Sequence, residues 1–207
     1  MIENIKPEEI EKRSFEIIKS ELSERGISLD ERYAHIISRC IHTSADFDYS
    51  ESLYFSDGVV ERIEKAIQDG CVIITDTKMA QAGINKSKLD GFGTGTMCFI
   101  SAEDVARDAK ERGMTRSYVA MEKAKLLERP VIFAIGNAPT ALLSIMRMVE
   151  EDGLDPVAVI GVPVGFVNVV ESKEMLISSG IPCIVNKGRK GGSNIAACIV
   201  NAIQYKL

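Results

Sequence analysis

Four short, mainly apolar runs recur along the chain between segments with helical periodicity. They are CVIIT (71–75), VIFAI (131–135), VAVIG (157–161) and PCIVN (182–186). Strands that are apolar at successive positions are buried on both faces, which is typical of a parallel sheet packed between helices. The shorter runs LYF and TMCFI predict two further strands. This alternation predicts an α/β fold with a mainly parallel sheet covered by helices on both faces.

The segments between the runs predict the helices. Residues 7–25 carry an apolar stripe and are followed by Gly26, which favours a helix that stops there. A second helix is predicted over about 30–39. Ser56 is predicted to cap the next helix, and Ser101 to cap the helix that follows TMCFI.

The composition narrows the class of protein. The 207 residues are 45% hydrophobic and 27% charged, without repeats or a linker, so we expect a single domain over residues 1–207. No apolar run reaches about 18 residues and the N-terminus is too polar for a signal peptide, which favours a cytoplasmic protein outside the membrane. A net charge of −5 argues against non-specific nucleic-acid binding. Five scattered cysteines without a CxxC pair predict buried free thiols and no metal site.

In parallel α/β sheets, ligands bind beyond the carboxyl ends of the strands. The segments that follow the four main runs are therefore candidates for a site. They are residues 75–78, 136–139, 161–165 and 186–192. In IGNAPTAL (135–142), Asn137 could cap a helix and Pro139 could occupy its first turn.

The segment NKGRKGGS (186–193) leads from the last predicted strand into a helix. Its glycines leave backbone N–H groups accessible, and Arg189 and Lys190 add positive charge, which favours binding of a carboxylate or phosphate. It lacks the spacing of a nucleotide-binding P-loop. A glycine-rich turn with solvated cations explains the same residues, and both interpretations stay open.

The segment RCIHTSADFDY (39–49) places several polar side chains within one short stretch that we predict to be a loop. His42 is one of two histidines, and an imidazole is well suited to exchange a proton near neutral pH. A loop in which Thr43 and Asp46 satisfy backbone groups is the alternative.

The segment GFGTGT (91–96) contains a GxG pattern, but it precedes a predicted strand. A dinucleotide-binding loop would join a strand to the helix that follows it, so we interpret this segment as an ordinary loop. The apolar stretch VPVGFV after the third main run could form the wall of a pocket for a large ring, or could turn against a partner chain.

Six of these segments, in order, resemble motifs of the precorrin-8X methylmutase family, whose members include cobalt-precorrin-8 methylmutases. They are RCIHTSADFDY, GCVIITDTKMAQAGI, TRSYVAMEKA, AIGNAPT, GVPVGFVNVVESKE and GRKGGSNIAA. The resemblance implies a single three-layer α/β/α domain and a homodimer with active sites at the subunit interface. It also implies an isomerase of cobalamin biosynthesis that moves a methyl group between adjacent ring C carbons, giving cobyrinate or hydrogenobyrinate. No organic cofactor is implied, and any cobalt would be carried by the substrate.

The resemblance also assigns residues. The catalytic histidine of the family falls on His42, its substrate-binding arginine on Arg39 and a serine of the first helix on Ser14. Four further motif residues are expected to contact substrate, and their roles are our hypothesis: Thr43, Arg116, Arg189 and Lys190. The sequence departs from the family pattern at Asn168 and the valines after it, where smaller residues are expected.

A methyl shift within a macrocycle needs neither a nucleophile nor a redox cofactor, so one proton-transferring histidine would suffice. We therefore expect His42 to protonate or hydrogen-bond a ring nitrogen, while arginines bind the peripheral carboxylates. Two alternatives remain at this stage. One is a carrier that binds a corrinoid without converting it, and the other is a methyltransferase that uses S-adenosylmethionine at GFGTGT.

Overall fold

A computed structural model describes residues 6–207 of the protein, and within this range six strands form one sheet. The strands are β1 (Leu53–Phe55), β2 (Val72–Thr75), β3 (Gly95–Met97), β4 (Val131–Ile135), β5 (Ala158–Gly161) and β6 (Cys183–Asn186). They lie in the order β1-β6-β5-β4-β2-β3. All neighbouring strands are parallel except β1, which pairs antiparallel with β6 at the sheet edge.

The helices of this range alternate with the strands. They are α1 (Pro7–Glu24), α2 (Ala34–Ser44), α3 (Tyr49–Ser52), α4 (Val59–Gln68), α5 (Lys78–Gly83), α6 (Lys86–Asp90), α7 (Glu103–Arg112), α8 (Arg116–Glu122), α9 (Pro139–Asp152), α10 (Val169–Ser178) and α11 (Ser193–Gln204). A short 3₁₀ helix, Lys123–Leu126, continues α8. None of them is long and apolar enough to cross a bilayer.

The residues of each central strand divide between two hydrophobic cores, one on each face of the sheet. In β4, Ile132 and Ala134 belong to the core under α1, α2, α4, α5, α6 and α11. Val131, Phe133 and Ile135 belong to the core under α7, α8, α9 and α10. Each face therefore requires apolar residues, which explains why the strand runs are continuous. The predicted α/β fold with a mainly parallel sheet between two helical layers is confirmed.

The boundary of α2 differs from the prediction. The sequence predicted a helix that ends before Cys40 and a loop that contains His42, but the helix continues to Ser44 and ends at Ala45 in the left-handed conformation. The buried positions Ile37 and Ile41 continue the apolar stripe across the polar segment. Packing of that stripe outweighs the turn preference of the Thr and Ser side chains. His42 therefore lies in the last turn of a helix.

The predicted helix caps were wrong in three places. Gly58, with φ 64°, precedes α4, and the Ser56 hydroxyl instead accepts a hydrogen bond from the backbone N–H of Cys183. Ala102 rather than Ser101 precedes α7, because β3 ends at Met97 and an additional turn follows it. Ala138 rather than Asn137 precedes α9, whose first turn contains Pro139 as predicted. The helices α5 and α6 were not predicted.

The five cysteines are free and buried, as predicted.

Candidate functional site

His42 projects from the end of α2 beside α1. Its side chain is exposed and lines a cavity of about 490 Å³ together with Ser14 of α1. The remaining lining is Ile17, Ile18, Glu21, Arg25, Ile41, Ala45 and Phe47. Ser14 donates to the carbonyl oxygen of Ile10 in its own helix, which leaves its hydroxyl oxygen able to accept a further hydrogen bond. The cavity thus combines a proton-exchanging group, a hydroxyl and an apolar wall.

Arg39 lies one turn before His42, and its guanidinium approaches two aromatic rings. Its guanidinium carbon is 5.4 Å from the ring centroid of Phe15 and 5.0 Å from that of Tyr205. Glu11 of α1 pairs with the guanidinium at 3.0 Å. Phe15 also approaches His42, with 5.2 Å between the ring centroids. Ser14 and His42 therefore share one cavity, whereas Arg39 and Phe15 line a second cavity of about 410 Å³ between α1 and α2.

Thr43 points towards α11 and contacts a cysteine pair. Its hydroxyl donates to the sulfur of Cys198 at 3.2 Å. A hydrogen bond from Cys40 lowers the pKa of the Cys198 thiol and raises that of Cys40, and Thr43 adds to the lowering. In this structure, the observed contact of Thr43 is with the helix layer and not with the cavity beside His42.

The glycine-rich loop, residues 187–192, is attached to the segment that follows His42. The Nζ atom of Lys190 lies 2.5 Å from carboxylate oxygens of both Asp46 and Asp48. These hydrogen bonds raise the pKa of Lys190, and the same contact lowers the pKa of Asp46. Arg189 is exposed, and its guanidinium lies 5.5 Å from the ring centroid of Phe166. The neighbouring cations Arg189 and Lys190 thus have different surroundings, because Lys190 contacts two carboxylates and Arg189 contacts an aromatic ring.

A buried lysine lies beneath this loop. Lys173 of α10 is 1% exposed, and its ammonium group donates to the carbonyl oxygens of Gly188 and Lys190, both at 2.8 Å. Burial lowers the pKa of Lys173 to about 8. Lys173 was not among the predicted site residues, although its spacing from the buried Val169 and Leu176 places it on the apolar stripe of its helix.

The segments that follow β2 and β4 contact each other at the carboxyl edge of the sheet. The carboxylate of Asp76, directly after β2, accepts hydrogen bonds from the backbone N–H groups of Gly136, Asn137 and Ala138 at 2.7–2.9 Å. Burial raises the pKa of Asp76, while these three donors oppose the increase. Thr77 and Ser193 share a hydrogen bond at 2.7 Å, which joins the same edge to α11. Asp76 was also missed, because an acid after a strand resembles an ordinary turn residue.

Arg116 lies away from the other candidates. It is exposed at the start of α8, whose residues Val119 to Met121 pack on the face of the sheet opposite α1 and α2. Within one chain, the structure does not bring Arg116 into the cavity beside His42.

The glycines of GFGTGT lead into β3, an edge strand, and no helix begins there. This part of the sheet therefore lacks the strand-to-helix glycine turn of a dinucleotide site. Within residues 6–207, no cluster of three His, Cys, Asp or Glu side chains is arranged to hold a metal ion.

Comparisons with known proteins agree with this architecture. The family model described as precorrin-8X methylmutase matches residues 9–206. A solved structure, the precorrin-8X methylmutase of Thermus thermophilus, superposes with a TM-score of 0.85 at 34% identity, covering 95% of this chain and 96% of that one.

Curated relatives also match over nearly their whole length. The cobalt-precorrin-8 methylmutase of Salmonella typhimurium is 44% identical, with 97% of this chain and 96% of the relative covered. The enzyme of the same name from Priestia megaterium is 42% identical, with 96% and 88% covered. The precorrin-8X methylmutase of Pseudomonas aeruginosa is 36% identical, with 94% and 93% covered.

The α/β fold and these matches define the protein as an isomerase. More narrowly, the chain belongs to the precorrin-8X methylmutase family, whose members catalyse migration of a methyl group. The family assignment does not favour the two alternatives, a non-catalytic corrinoid carrier and an S-adenosylmethionine-dependent methyltransferase.

Proposed function

We propose that this protein moves a methyl group between adjacent ring C carbons of precorrin-8 or of its cobalt form, giving hydrogenobyrinate or cobyrinate. The observation that carries the proposal is the exposed imidazole of His42, which lines a cavity together with Ser14 and lies one helical turn after Arg39. The family membership supplies the reaction, and the contacts of these residues support the assignment of roles.

In the proposed mechanism, His42 protonates or hydrogen-bonds a ring nitrogen of the bound macrocycle. This stabilises the charge that develops as the methyl group migrates, and the proton returns to the imidazole afterwards. The methyl group leaves one ring carbon and bonds to its neighbour, so the reaction needs neither a redox partner nor an external group. We therefore propose that no organic cofactor takes part and that any cobalt arrives with the substrate.

The acidic chain must bind a substrate that carries several carboxylates. The Arg39 guanidinium lies within cation–π distance of Phe15 and Tyr205, and a planar guanidinium pairs well with a carboxylate. Arg189 is exposed, and its guanidinium lies 5.5 Å from the ring centroid of Phe166. We propose that these two arginines bind substrate carboxylates, and that Ser14 accepts or donates a further hydrogen bond. Roles for Thr43, Arg116 and Lys190 remain predictions.

We also propose that the natural substrate contains cobalt. The Salmonella typhimurium protein, which is named for the cobalt substrate, shares 44% of aligned residues with this chain, and the Pseudomonas aeruginosa protein, named without cobalt, shares 36%. This difference supports the cobalt form.

A homodimer with shared active sites is part of the proposal. Arg116 lies on the face of the sheet opposite the His42 cavity, so a contribution from Arg116 requires a second subunit. Phe166 and Val167 are 82% and 75% exposed, and a partner chain could cover them. Sedimentation of the purified protein tests the dimer, and a monomer at assay concentration would contradict it. A cytoplasmic location remains an expectation from the sequence.

The central experiment is anaerobic incubation of the native protein and of His42→Asn with precorrin-8 and with its cobalt form, followed by absorption spectra. The rearrangement alters ring conjugation, so we expect a spectral change with the native protein and none with the variant. His35→Asn, the same change at the other histidine and in the same helix, is the matched control and should retain turnover. Native-like turnover by folded His42→Asn would refute the assigned role. A corrinoid bound by native protein without conversion would favour the carrier.

A further inference from the structure

Phe15 of α1 contacts both His42 and Arg39. The centroid of its ring lies 5.2 Å from that of the His42 imidazole, with the two planes tilted by 44°. The guanidinium carbon of Arg39 lies 5.4 Å from the same centroid. Both separations lie in the range where an aromatic ring attracts another ring or a cation.

The two partners share one face of α2, because they are three residues apart in a helix. Phe15 reaches this face from the neighbouring helix and contacts one residue expected to move a proton and another expected to bind a carboxylate. Arg39 has two further contacts. Its guanidinium carbon lies 5.0 Å from the ring centroid of Tyr205, and one of its guanidinium nitrogens lies 3.0 Å from a carboxylate oxygen of Glu11. Among residues 6–207, Phe15 is the only aromatic ring within stacking distance of the His42 imidazole, so loss of the Phe15 ring would remove this contact.

The Phe15 ring is itself anchored. It is partly buried and packs against the core beneath α1 and α2, in which Ile18 and Leu22 are the buried residues of α1. Phe15 also lines cavities of about 600 Å³ and about 410 Å³. The Phe15 side chain therefore packs on the core and also borders open space. We expect this space to accommodate the added hydroxyl of a tyrosine.

We propose that Phe15 is a positioning residue that orients the His42 imidazole for proton transfer and the Arg39 guanidinium for substrate binding. The inference rests on the proposed function, since it assumes that His42 and Arg39 act on the substrate. It adds a residue of the first helix, with no exchangeable proton or charge of its own, to the set that determines the rate.

The kinetic test compares Phe15→Leu, Phe15→Tyr and the native protein. Leucine preserves apolar burial but removes the ring, and we expect kcat to fall, KM to rise and kcat/KM to drop about tenfold. Tyrosine restores the ring, and the adjacent cavities accommodate its hydroxyl, so Phe15→Tyr should recover most of the activity. Phe55→Leu is the matched control, because Phe55 is also partly buried on the same core but stacks on Tyr33 instead.

A spectroscopic test separates positioning from loss of stability. The chain has two histidines, so its imidazole proton resonances are few. Desolvation lowers the pKa of His35 to about 4, and its resonances should therefore not titrate near neutral pH. In the native protein, the Phe15 ring current should displace the His42 resonances. We expect that displacement to disappear in Phe15→Leu and to persist in Phe15→Tyr and Phe55→Leu.

Unchanged His42 resonances in Phe15→Leu would overturn the inference, as would equal losses of kcat/KM in Phe15→Leu and Phe55→Leu. Failure of the proposed function is a separate result, because it would appear as no conversion by the native protein, and failure of the assigned role of His42 would appear as turnover by His42→Asn. The resonance displacement is measured without substrate and does not depend on either outcome.

Discussion

The ammonium group of Lys173 lies 2.8 Å from the carbonyl oxygen of Gly188 and holds the glycine-rich loop from below. Burial lowers the pKa of Lys173 to about 8, whereas a lysine in an unfolded chain titrates at about 10.4. Between these two values the unfolded state binds more protons than the folded state. The contribution of Lys173 to the free energy of unfolding should therefore rise with pH across this window.

The first prediction concerns this rise in the contribution of Lys173 with pH. The free energy of unfolding of the native protein minus that of Lys173→Met should rise by about 3 kcal/mol between about pH 8 and about pH 10.4. Urea unfolding at several pH values measures it, and the comparison cancels the titration of other groups. Lys86→Met, at an exposed lysine, is the control and should show no such rise. A flat difference for Lys173→Met would contradict the prediction.

The second prediction separates the two cations of the glycine-rich loop. Two carboxylates already neutralise Lys190, whereas Arg189 is exposed beside Phe166. We expect Arg189→Met to raise KM for the corrin substrate about tenfold, and Lys190→Met to raise it less than about threefold. Steady-state kinetics at one fixed ionic strength measure both effects. A larger effect at Lys190 would mean that its ammonium leaves Asp46 and Asp48 to bind the substrate.

The third prediction concerns Asp76. An Asn side chain has one acceptor oxygen, and its amide nitrogen cannot accept from the N–H groups that now contact the carboxylate. We expect Asp76→Asn to lower the free energy of unfolding by about 3 kcal/mol, since charge-assisted hydrogen bonds are lost in a buried place. Urea unfolding measures the change. Asp90→Asn, at an exposed aspartate, should change it by less than about 0.5 kcal/mol. Equal losses in the two variants would contradict the structural role.

The fourth prediction tests the close approach of β4 and α11. A Cβ atom at Gly136 would lie 2.5 Å from the Cα of Ser193 and 2.7 Å from the carbonyl oxygen of Gly192. Both neighbours are backbone atoms, so Gly136→Ala should lower the free energy of unfolding by about 3 kcal/mol. At Gly95 a Cβ would meet nothing within 4 Å, and Gly95→Ala should be nearly neutral. Similar melting temperatures for the two variants would show that α11 can move aside.

The sheet could be predicted because each central strand is apolar at every position, and both of its faces are buried. The end of α2 could not be predicted, because Thr43 and Ser44 favour a turn. The helix continues to Ser44 since Ile37 and Ile41 pack in the core, and this packing is not evident from the sequence. Lys173 was recoverable from helical spacing, but a lysine in a helix is ordinarily exposed. Its acceptors lie in a loop, and the pairing depends on how α10 packs beside β6.

The candidate site was predictable in part. His42 stood out as a rare residue type in a polar segment, and Arg39 followed from its motif. The role proposed for Phe15 could not be predicted, because an aromatic residue in an amphipathic helix indicates core packing. Its relation to His42 depends on how α1 crosses α2, and this crossing is a tertiary property.

Asp76 has a consequence for the ligands this fold can accept. The strand order changes direction between β2 and β4, and it is there that doubly wound proteins commonly seat a cofactor phosphate on helix N–H groups. Here the chain supplies an anion of its own, and the carboxylate already occupies the donors at the start of α9. An incoming phosphate would meet negative charge and no free donors from residues 136–138. The scaffold thus carries an internal anion that closes this position to the phosphate groups of nucleotides.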